Sequence, residues 1–225
     1  MTKKILDNYK ETLQKFQSSE FCKNTQCLQK KWYEQMNRWG KYLAQNNISA
    51  SSITLFGFII GMMSVNFLAM NMYFEALLCI LINRLCDCLD GAVARYEGIT
   101  DFGKFIDAAL DFIFYAGVIF GFALADVEQN AAAACFLLFA FMSSATTMLA
   151  YGVIDKNAEE LKQSPFYLAG LAQGFETLCS FVALCIAPFA FQPIAILLGC
   201  WCLIKVLIII SRAYYKFNIA KKSKK

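Results

Sequence analysis

The chain is dominated after residue 52 by a succession of apolar blocks, each about 20 residues long. A helix of that length spans the hydrocarbon core of a bilayer, which is about 30 Å thick. Apolar residues make up 58% of the sequence, which excludes a disordered chain, a secreted disulfide scaffold and a typical soluble enzyme. We therefore predict an all-α integral membrane protein with several transmembrane helices.

Six of these blocks are predicted to cross the membrane, each as a single helix. The second and third blocks carry acidic residues at one end, so we expect both to fall short of a strict hydropathy criterion. Pro188 and Pro193 bracket the link between the last two blocks, as expected near helix ends. The predicted spans are Ile53–Asn71, Tyr73–Arg95, Gly103–Ala125, Ala131–Val153, Phe166–Ala187 and Pro193–Arg212.

The distribution of Lys and Arg predicts the orientation in the membrane. Basic residues lie before residue 45, around the second loop, in the fourth loop (Lys156 and Lys162) and at the C-terminal end. The loops near Asn71, at Asp126–Asn130 and at Pro188–Gln192 contain none. The positive-inside rule then places both termini in the cytoplasm, in a multi-pass protein of the cytoplasmic membrane. The net charge of +4 gives no indication of a nucleic acid partner.

The sequence divides into three segments. Residues 1–45 are amphipathic, residues 46–215 form a six-helix membrane domain, and residues 216–225 are a basic tail suited to an anionic leaflet. Trp32, Trp39 and Tyr42 lie among basic side chains in the first segment, which is typical of a helix in the membrane interface. A soluble cap packed on the cytoplasmic face is an equally good interpretation of that segment.

Four aspartates flank the second loop. Asp87 and Asp90 are three residues apart, and Asp107 and Asp111 are four apart, so each pair shares one face of its helix. Antiparallel packing of the two helices can bring the four carboxylates together near the cytoplasmic side. A charged side chain within a span costs about 2.5–3.5 kcal/mol on insertion scales. These acids must therefore face a polar cavity or a cation.

Carboxylates without sulfur or imidazole partners favour a hard cation such as Mg²⁺ or Mn²⁺, and the chain has no histidine. Two such ions could neutralise most of the cluster and leave positions for phosphate oxygens. Gly91, Ala94 and Gly103 keep the adjoining faces small, so that a ligand could approach the backbone. Arg95 adds a fixed cation suited to phosphate. The alternative is a structural set of acids paired with the neighbouring basic residues.

These residues also form a longer pattern that resembles a known signature. The pattern reads Asp87-x2-Asp90-Gly91-x2-Ala94-Arg95-x7-Gly103-x3-Asp107-x3-Asp111. It resembles the CDP-alcohol phosphotransferase family at every fixed position. The resemblance covers roughly residues 46–215 and implies six membrane helices, with the signature on the second and third and both termini cytosolic.

The resemblance implies transfer of a substituted phosphate from a CDP-linked donor to an alcohol hydroxyl, with release of CMP. By position it implies four metal ligands for Mg²⁺ or Mn²⁺, which are Asp87, Asp90, Asp107 and Asp111. Asp111 would also be the general base that deprotonates the acceptor. The nucleotide and diphosphate site would be formed by Gly91, Ala94, Arg95 and Gly103. Homodimers are common in the family.

One stretch departs from the family pattern. Before the first span the family often shows Pro-Asn-x-x-Thr, whereas this chain has Ala50-Ser51-Ser52-Ile53-Thr54. Thr54 is retained, and Ser51 or Ser52 is expected to cap the helix. A nucleotide contact from the replaced Pro and Asn positions is left open.

A polar patch lies inside the fifth predicted span and includes Gln173, Glu176 and Thr177. An ionisable residue within a membrane span indicates a functional site by default. Since the family places acceptor recognition near this part of its domain, we assign the patch to the acceptor pocket. A patch of hydrogen bonds between helices is an equally good interpretation.

Together these features predict an enzyme of phospholipid synthesis whose active site faces the cytoplasm. A cluster of acidic residues that is accessible from both the cytosol and the lipid suits CDP-diacylglycerol as donor and a small water-soluble alcohol as acceptor. Glycerol 3-phosphate is narrowly favoured on the size of the domain. One alternative is a soluble CDP-alcohol donor with diacylglycerol as acceptor. Another is a divalent-cation transporter, although that function predicts acids spread through the depth of the membrane.

Overall fold

The structure is a computed structural model that describes residues 20–154 and 177–219. In these ranges the chain is helical and has no β-strand, which confirms the all-α prediction for the described residues. The helices are α1 (Glu20–Gln45), α2 (Ala50–Ala69), α3 (Tyr73–Glu97), α4 (Asp101–Ala125), α5 (Val127–Ile154), α6 (described over Thr177–Ile186) and α7 (Phe191–Tyr214). A 3₁₀ turn, Pro188–Ala190, precedes α7, and a π-helical turn, Tyr215–Ile219, follows it.

Some of the predicted features lie outside the described residues. They are the amphipathic pattern over residues 1–19, the basic loop residues Lys156 and Lys162, the acceptor-patch residues Gln173 and Glu176, and the tail beyond residue 219.

Within the described ranges, four helical segments are long and apolar enough to cross a membrane. They are Ala50–Ala69, Asp101–Ala125, Val127–Ile154 and Pro188–Phe217. The expectation that the third predicted span would fall short was wrong, because α4 reaches a mean hydropathy of 2.0 beyond its acidic start. The second, α3, does fall short, since Arg84, Asp87 and Asp90 interrupt its apolar run. Six spans and their orientation stay predictions.

The outer surfaces of these helices are also those of a membrane protein. Large apolar side chains are exposed along them, among them Phe56, Phe120, Phe139 and Leu197. In water, an apolar surface of this extent would promote aggregation, whereas lipid chains solvate it without penalty.

The start of α2 lies two or three residues before the position predicted from the sequence. The helix begins at Ala50, so its cap is Ser49 rather than Ser51 or Ser52. The Ser49 hydroxyl oxygen accepts the Ser52 backbone N–H at 3.3 Å. The Glu97 carboxylate, at the end of α3, accepts the Ala50 backbone N–H at 3.2 Å. A negative charge at this position is favourable because a helix N-terminus carries unsatisfied N–H groups and partial positive charge.

The chain divides into two compact units, and α2, α3 and α4 contribute residues to both. Of the described residues, 20–57 and Arg84–Asp107 form the first unit. Its small core is formed by Ile53 of α2 with Cys86 and Val93 of α3. Partly buried apolar side chains pack against these three, namely Leu43, Ala44, Ala50 and Leu89.

Within the first unit, α1 lies very close to α3. A Cβ atom added to Gly40 would lie 2.7 Å from the Cβ and 2.8 Å from the carbonyl carbon of Ala92. Met36, one turn earlier on α1, is only 7% exposed. The absence of a side chain at Gly40 therefore allows the two helix backbones to meet.

The second unit comprises Phe58–Asn83 and the described residues that follow Asp107, and aromatic rings contribute much of its core. The Phe122 and Phe191 rings stack with centroids 5.2 Å apart. Tyr115 contacts Phe141 and Phe181, each at 5.9 Å between centroids. These contacts join α4 to α5, α6 and α7, and α5 also packs along α7. Such ring pairs contribute about 0.5–1.5 kcal/mol each beyond the area they bury.

We predict that Gly40→Leu lowers the melting temperature of the purified protein in detergent, because the added side chain meets Ala92 backbone atoms. Overpacking of this kind costs about 1–3 kcal/mol. The matched control is Gly152→Ala in α5, since a Cβ at Gly152 would meet no atom of the described ranges within 4 Å. Equal melting temperatures for Gly40→Leu and the parent would contradict the close approach of α1 to α3.

Candidate active site

Three of the four signature aspartates meet in the first unit. One carboxylate oxygen each from Asp87, Asp90 and Asp107 lies within 4.8 Å of the other two. The chain reverses direction over only residues 98–100, between the end of α3 and the start of α4. Gly98 enables the reversal, because its φ of 98° is one that side-chain-bearing residues rarely adopt. Three carboxylates at this separation could hold a divalent cation.

Asp90 is the buried member of this cluster, with 5% of its surface exposed. The hydroxyl Oγ1 of Thr54, on α2, donates to Asp90 Oδ2 at 2.6 Å. The same Oγ1 lies 3.0 Å from the Ala50 carbonyl oxygen, which competes for the single hydroxyl proton. Thr54 thus orients the Asp90 carboxylate from a third helix.

From the sequence, no role in the site was predicted for Thr54. The only indication was that Thr54 matches the threonine of the family's Pro-Asn-x-x-Thr pattern, in the first turn of a predicted span. That signal could not identify the partner, because Thr54 and Asp90 are 36 residues apart.

The neighbouring basic side chains are distributed among different partners. Arg84 lies one turn before Asp87 on α3 and contacts its carboxylate at 3.5 Å. Lys104 pairs instead with Asp101, at 3.4 Å and in full exposure. Arg95 donates to the side-chain oxygen of Asn37. The alternative interpretation was that the acids are structural and are paired with neighbouring basic residues. The Arg84–Asp87 contact supports it, whereas Lys104 and Arg95 contact other residues.

The small signature residues differ in what surrounds them. Among the residues that the structure describes, a Cβ at Gly91 would meet only Arg95 Nη1, at an ordinary 3.7 Å, so these residues leave the space beside Gly91 open to a ligand. Gly103 has a local role as well, since its N–H donates to Thr100 Oγ1 at 3.0 Å and this caps α4. Ala94 is half-buried on α3.

Two further predicted positions fall elsewhere. Asp111 lies one helical turn after Asp107 on α4 and belongs to the second unit. Thr177 is the first described residue of α6, and its neighbours in the acceptor patch lie outside the described ranges. The roles of Asp111 and of the patch stay predictions.

Comparison with known proteins identifies the family. The model of the CDP-alcohol phosphatidyltransferase family matches residues 47–212. The chain belongs to this family. The enzyme is accordingly a membrane-bound transferase of phospholipid biosynthesis that uses a CDP-alcohol donor and an alcohol acceptor, and the family works with divalent metal ions.

Individual relatives cover different shares of the transferase. Inner membrane protein YnjF of Escherichia coli is 43% identical over 168 residues, which is 72% of this chain and 82% of that protein. Archaetidylinositol phosphate synthase of Pyrococcus horikoshii is 34% identical over 91 residues, 40% of this chain and 48% of that enzyme. An uncharacterized protein of Aquifex aeolicus is 39% identical over 89 residues, 36% and 43% of the two chains. No solved structure matches the transferase.

We predict that Thr54→Val weakens Mn²⁺ binding, measured by electron paramagnetic resonance on the purified protein. Valine keeps the shape of threonine but cannot donate to Asp90, and loss of a partner that orients a ligand typically costs about 10–100-fold in metal affinity. Thr54→Ser is the matched control and should bind Mn²⁺ as the parent does. Parent-like binding by Thr54→Val would show that the hydroxyl does not organise the cluster.

Proposed function

We propose that this transferase moves a phosphatidyl group from CDP-diacylglycerol to the hydroxyl of a small water-soluble alcohol and releases CMP. The observation that carries the proposal is the carboxylate cluster of Asp87, Asp90 and Asp107, formed by residues of the family signature. In this proposal residues 46–215 are the catalytic domain with six spans, both termini are cytoplasmic, and the site opens to the cytoplasm.

The donor set fits Mg²⁺ or Mn²⁺. Every candidate ligand atom is a carboxylate oxygen, and Asp90 is held in one orientation by Thr54. Asp87, Asp90, Asp107 and Asp111 would hold the metal, and we propose two ions for this number of carboxylates. When bound, the ions neutralise charge on the diphosphate and on the departing CMP.

The chain's own residues then have distinct roles. Asp111 accepts the proton of the acceptor hydroxyl. At the same time the hydroxyl oxygen forms a bond to the phosphorus of the phosphatidyl group. The bond between that phosphorus and the oxygen of CMP breaks, and the electron pair leaves with CMP. The open space beside Gly91 admits the diphosphate, and Arg95 donates to its oxygens. Ala94 and Gly103 are small, which lets the nucleotide approach the backbone on its side of the site.

The acceptor is proposed to be glycerol 3-phosphate, bound near Gln173, Glu176 and Thr177. Inositol phosphate belongs beside it in any acceptor panel, since one relative is named an archaetidylinositol phosphate synthase. A second copy of the chain is a further proposed partner, because homodimers are common in the family.

The decisive assay measures CMP release from CDP-diacylglycerol by the purified protein, with Mg²⁺ or Mn²⁺ and a panel of alcohols. We predict release that depends on one acceptor and falls by about 10²–10⁴-fold in Asp111→Asn, which cannot act as a base. The matched control is Asp101→Asn on the same helix, an exposed acid that pairs with Lys104. It should keep parent activity.

The possible failures of this assay have different meanings. Release from a soluble CDP-alcohol with diacylglycerol, and none from CDP-diacylglycerol, would reverse the roles of donor and acceptor. Metal flux through proteoliposomes without any nucleotide binding would favour the transporter.

We also predict that chelation with EDTA abolishes CMP release and that Mg²⁺ or Mn²⁺ restores it. Asp90→Asn should shift the metal titration to higher concentrations, because a neutral amide is a weaker ligand and the residue is buried within the cluster. Activity that survives EDTA would contradict the proposed role of the aspartates.

A further inference from the structure

The helix that precedes the family-matched region contacts the signature directly. The match begins at residue 47, whereas α1 ends at Gln45. Nevertheless Arg95 on α3 donates from Nε and Nη2 to Asn37 Oδ1 on α1, at 3.3 and 2.9 Å. The Arg95 guanidinium carbon also lies 5.0 Å from the centre of the Tyr33 ring, one turn earlier on α1.

Backbone packing fixes these contacts in place. Gly40 follows Asn37 by three residues, and Ala92 precedes Arg95 by three. The near contact between Gly40 and Ala92 therefore sets the distance between the two helices beside the guanidinium. Met36, one turn before Gly40 on α1, is buried as well. The packing of the two helix backbones therefore keeps Asn37 and Tyr33 next to Arg95.

Both partners of Arg95 on α1 are neutral. An amide oxygen and an aromatic face orient the guanidinium, whereas a carboxylate would also cancel its charge. A guanidinium has five N–H donors, so bonds from Nε and Nη2 to Asn37 leave donors for a further acceptor. Nη1 lies beside the open position at Gly91, 3.7 Å from where a Cβ would be. The geometry therefore presents an oriented positive charge next to unfilled space.

We propose that α1 is part of the donor site, with Asn37 and Tyr33 as positioning residues that hold Arg95 ready for the diphosphate of the CDP-linked donor. This inference rests on the proposed function, because it assigns the phosphate contact to Arg95. A mobile arginine side chain loses conformational entropy when it binds a phosphate. An arginine that is already ordered before binding loses less, so the phosphate binds more tightly. Residues outside the family-matched region would then set affinity for the donor.

The test measures CDP binding to the full-length protein in detergent with Mg²⁺, by isothermal titration calorimetry. Asn37→Ala should weaken CDP binding about three- to tenfold, as expected for one lost hydrogen bond. Gln35→Ala, an exposed position on the same helix, should bind as the parent does. In the CMP release assay Asn37→Ala should raise KM for CDP-diacylglycerol and leave kcat unchanged.

A double-mutant cycle separates positioning from a general structural role. If Asn37 acts through Arg95, Asn37→Ala should cause no further loss of CDP affinity in an Arg95→Lys background. Asn37→Asp provides a second variant that keeps an acceptor for Arg95. It should also weaken CDP binding, because its carboxylate cancels the charge of the guanidinium.

The outcomes that overturn the inference differ from those that overturn the function. Parent-like CDP affinity in Asn37→Ala, or an equal loss in the Arg95→Lys background, would overturn the positioning role and leave the transferase proposal intact. A parent protein that neither binds CDP nor releases CMP would overturn the proposed function, and the inference would fall with it.

Discussion

Asp90 lies on an apolar helix and is almost fully buried, and a carboxylate removed from water costs several kcal/mol unless it is hydrogen-bonded or paired. The Thr54 hydroxyl meets part of that requirement, which ties the first turn of α2 to the middle of the signature on α3. Asp87 and Asp107 each place a carboxylate oxygen within 4.8 Å of one from Asp90 and bring two more negative charges. Their mutual repulsion is relieved most directly by a divalent cation, so the packing of the first unit and its candidate chemistry depend on the same buried acid.

The sequence predicted the parts of this arrangement that depend on local spacing. The aspartates could be identified because intervals of three and four residues place side chains on one helix face, and because lipid does not tolerate unpartnered charge. The contact of Thr54 with Asp90 could not, since it depends on how two helices far apart in sequence approach each other. The cap of α2 was misplaced for a smaller reason. Ser49, Ser51 and Ser52 are chemically alike, and only the backbone shows where the helix begins.

The segment before the membrane domain was the hardest to interpret. Its aromatic and basic composition supported both an interfacial helix and a cap packed on other helices. In the structure, Met36 and Gly40 of α1 are buried, while the side chains of Trp32, Trp39 and Tyr42 are more than half exposed. The interfacial helix and the cytoplasmic cap both stay predictions. Nothing local in the sequence connects Tyr33 or Asn37 to Arg95, which follows Asn37 by 58 residues.

The short connection between α3 and α4 limits how the sequence can change in length. Gly98 turns the chain and Thr100 caps α4. The end of α3 and the start of α4 are therefore separated by three residues with defined structural roles at two of them. An added residue would rotate α4 by about 100° about its axis if the cap moved with it, and Asp107 would then point away from Asp87 and Asp90. The interval between Arg95 and Gly103 should therefore hardly accept insertions or deletions. Length variation among relatives that keep all the aspartates should fall in other loops.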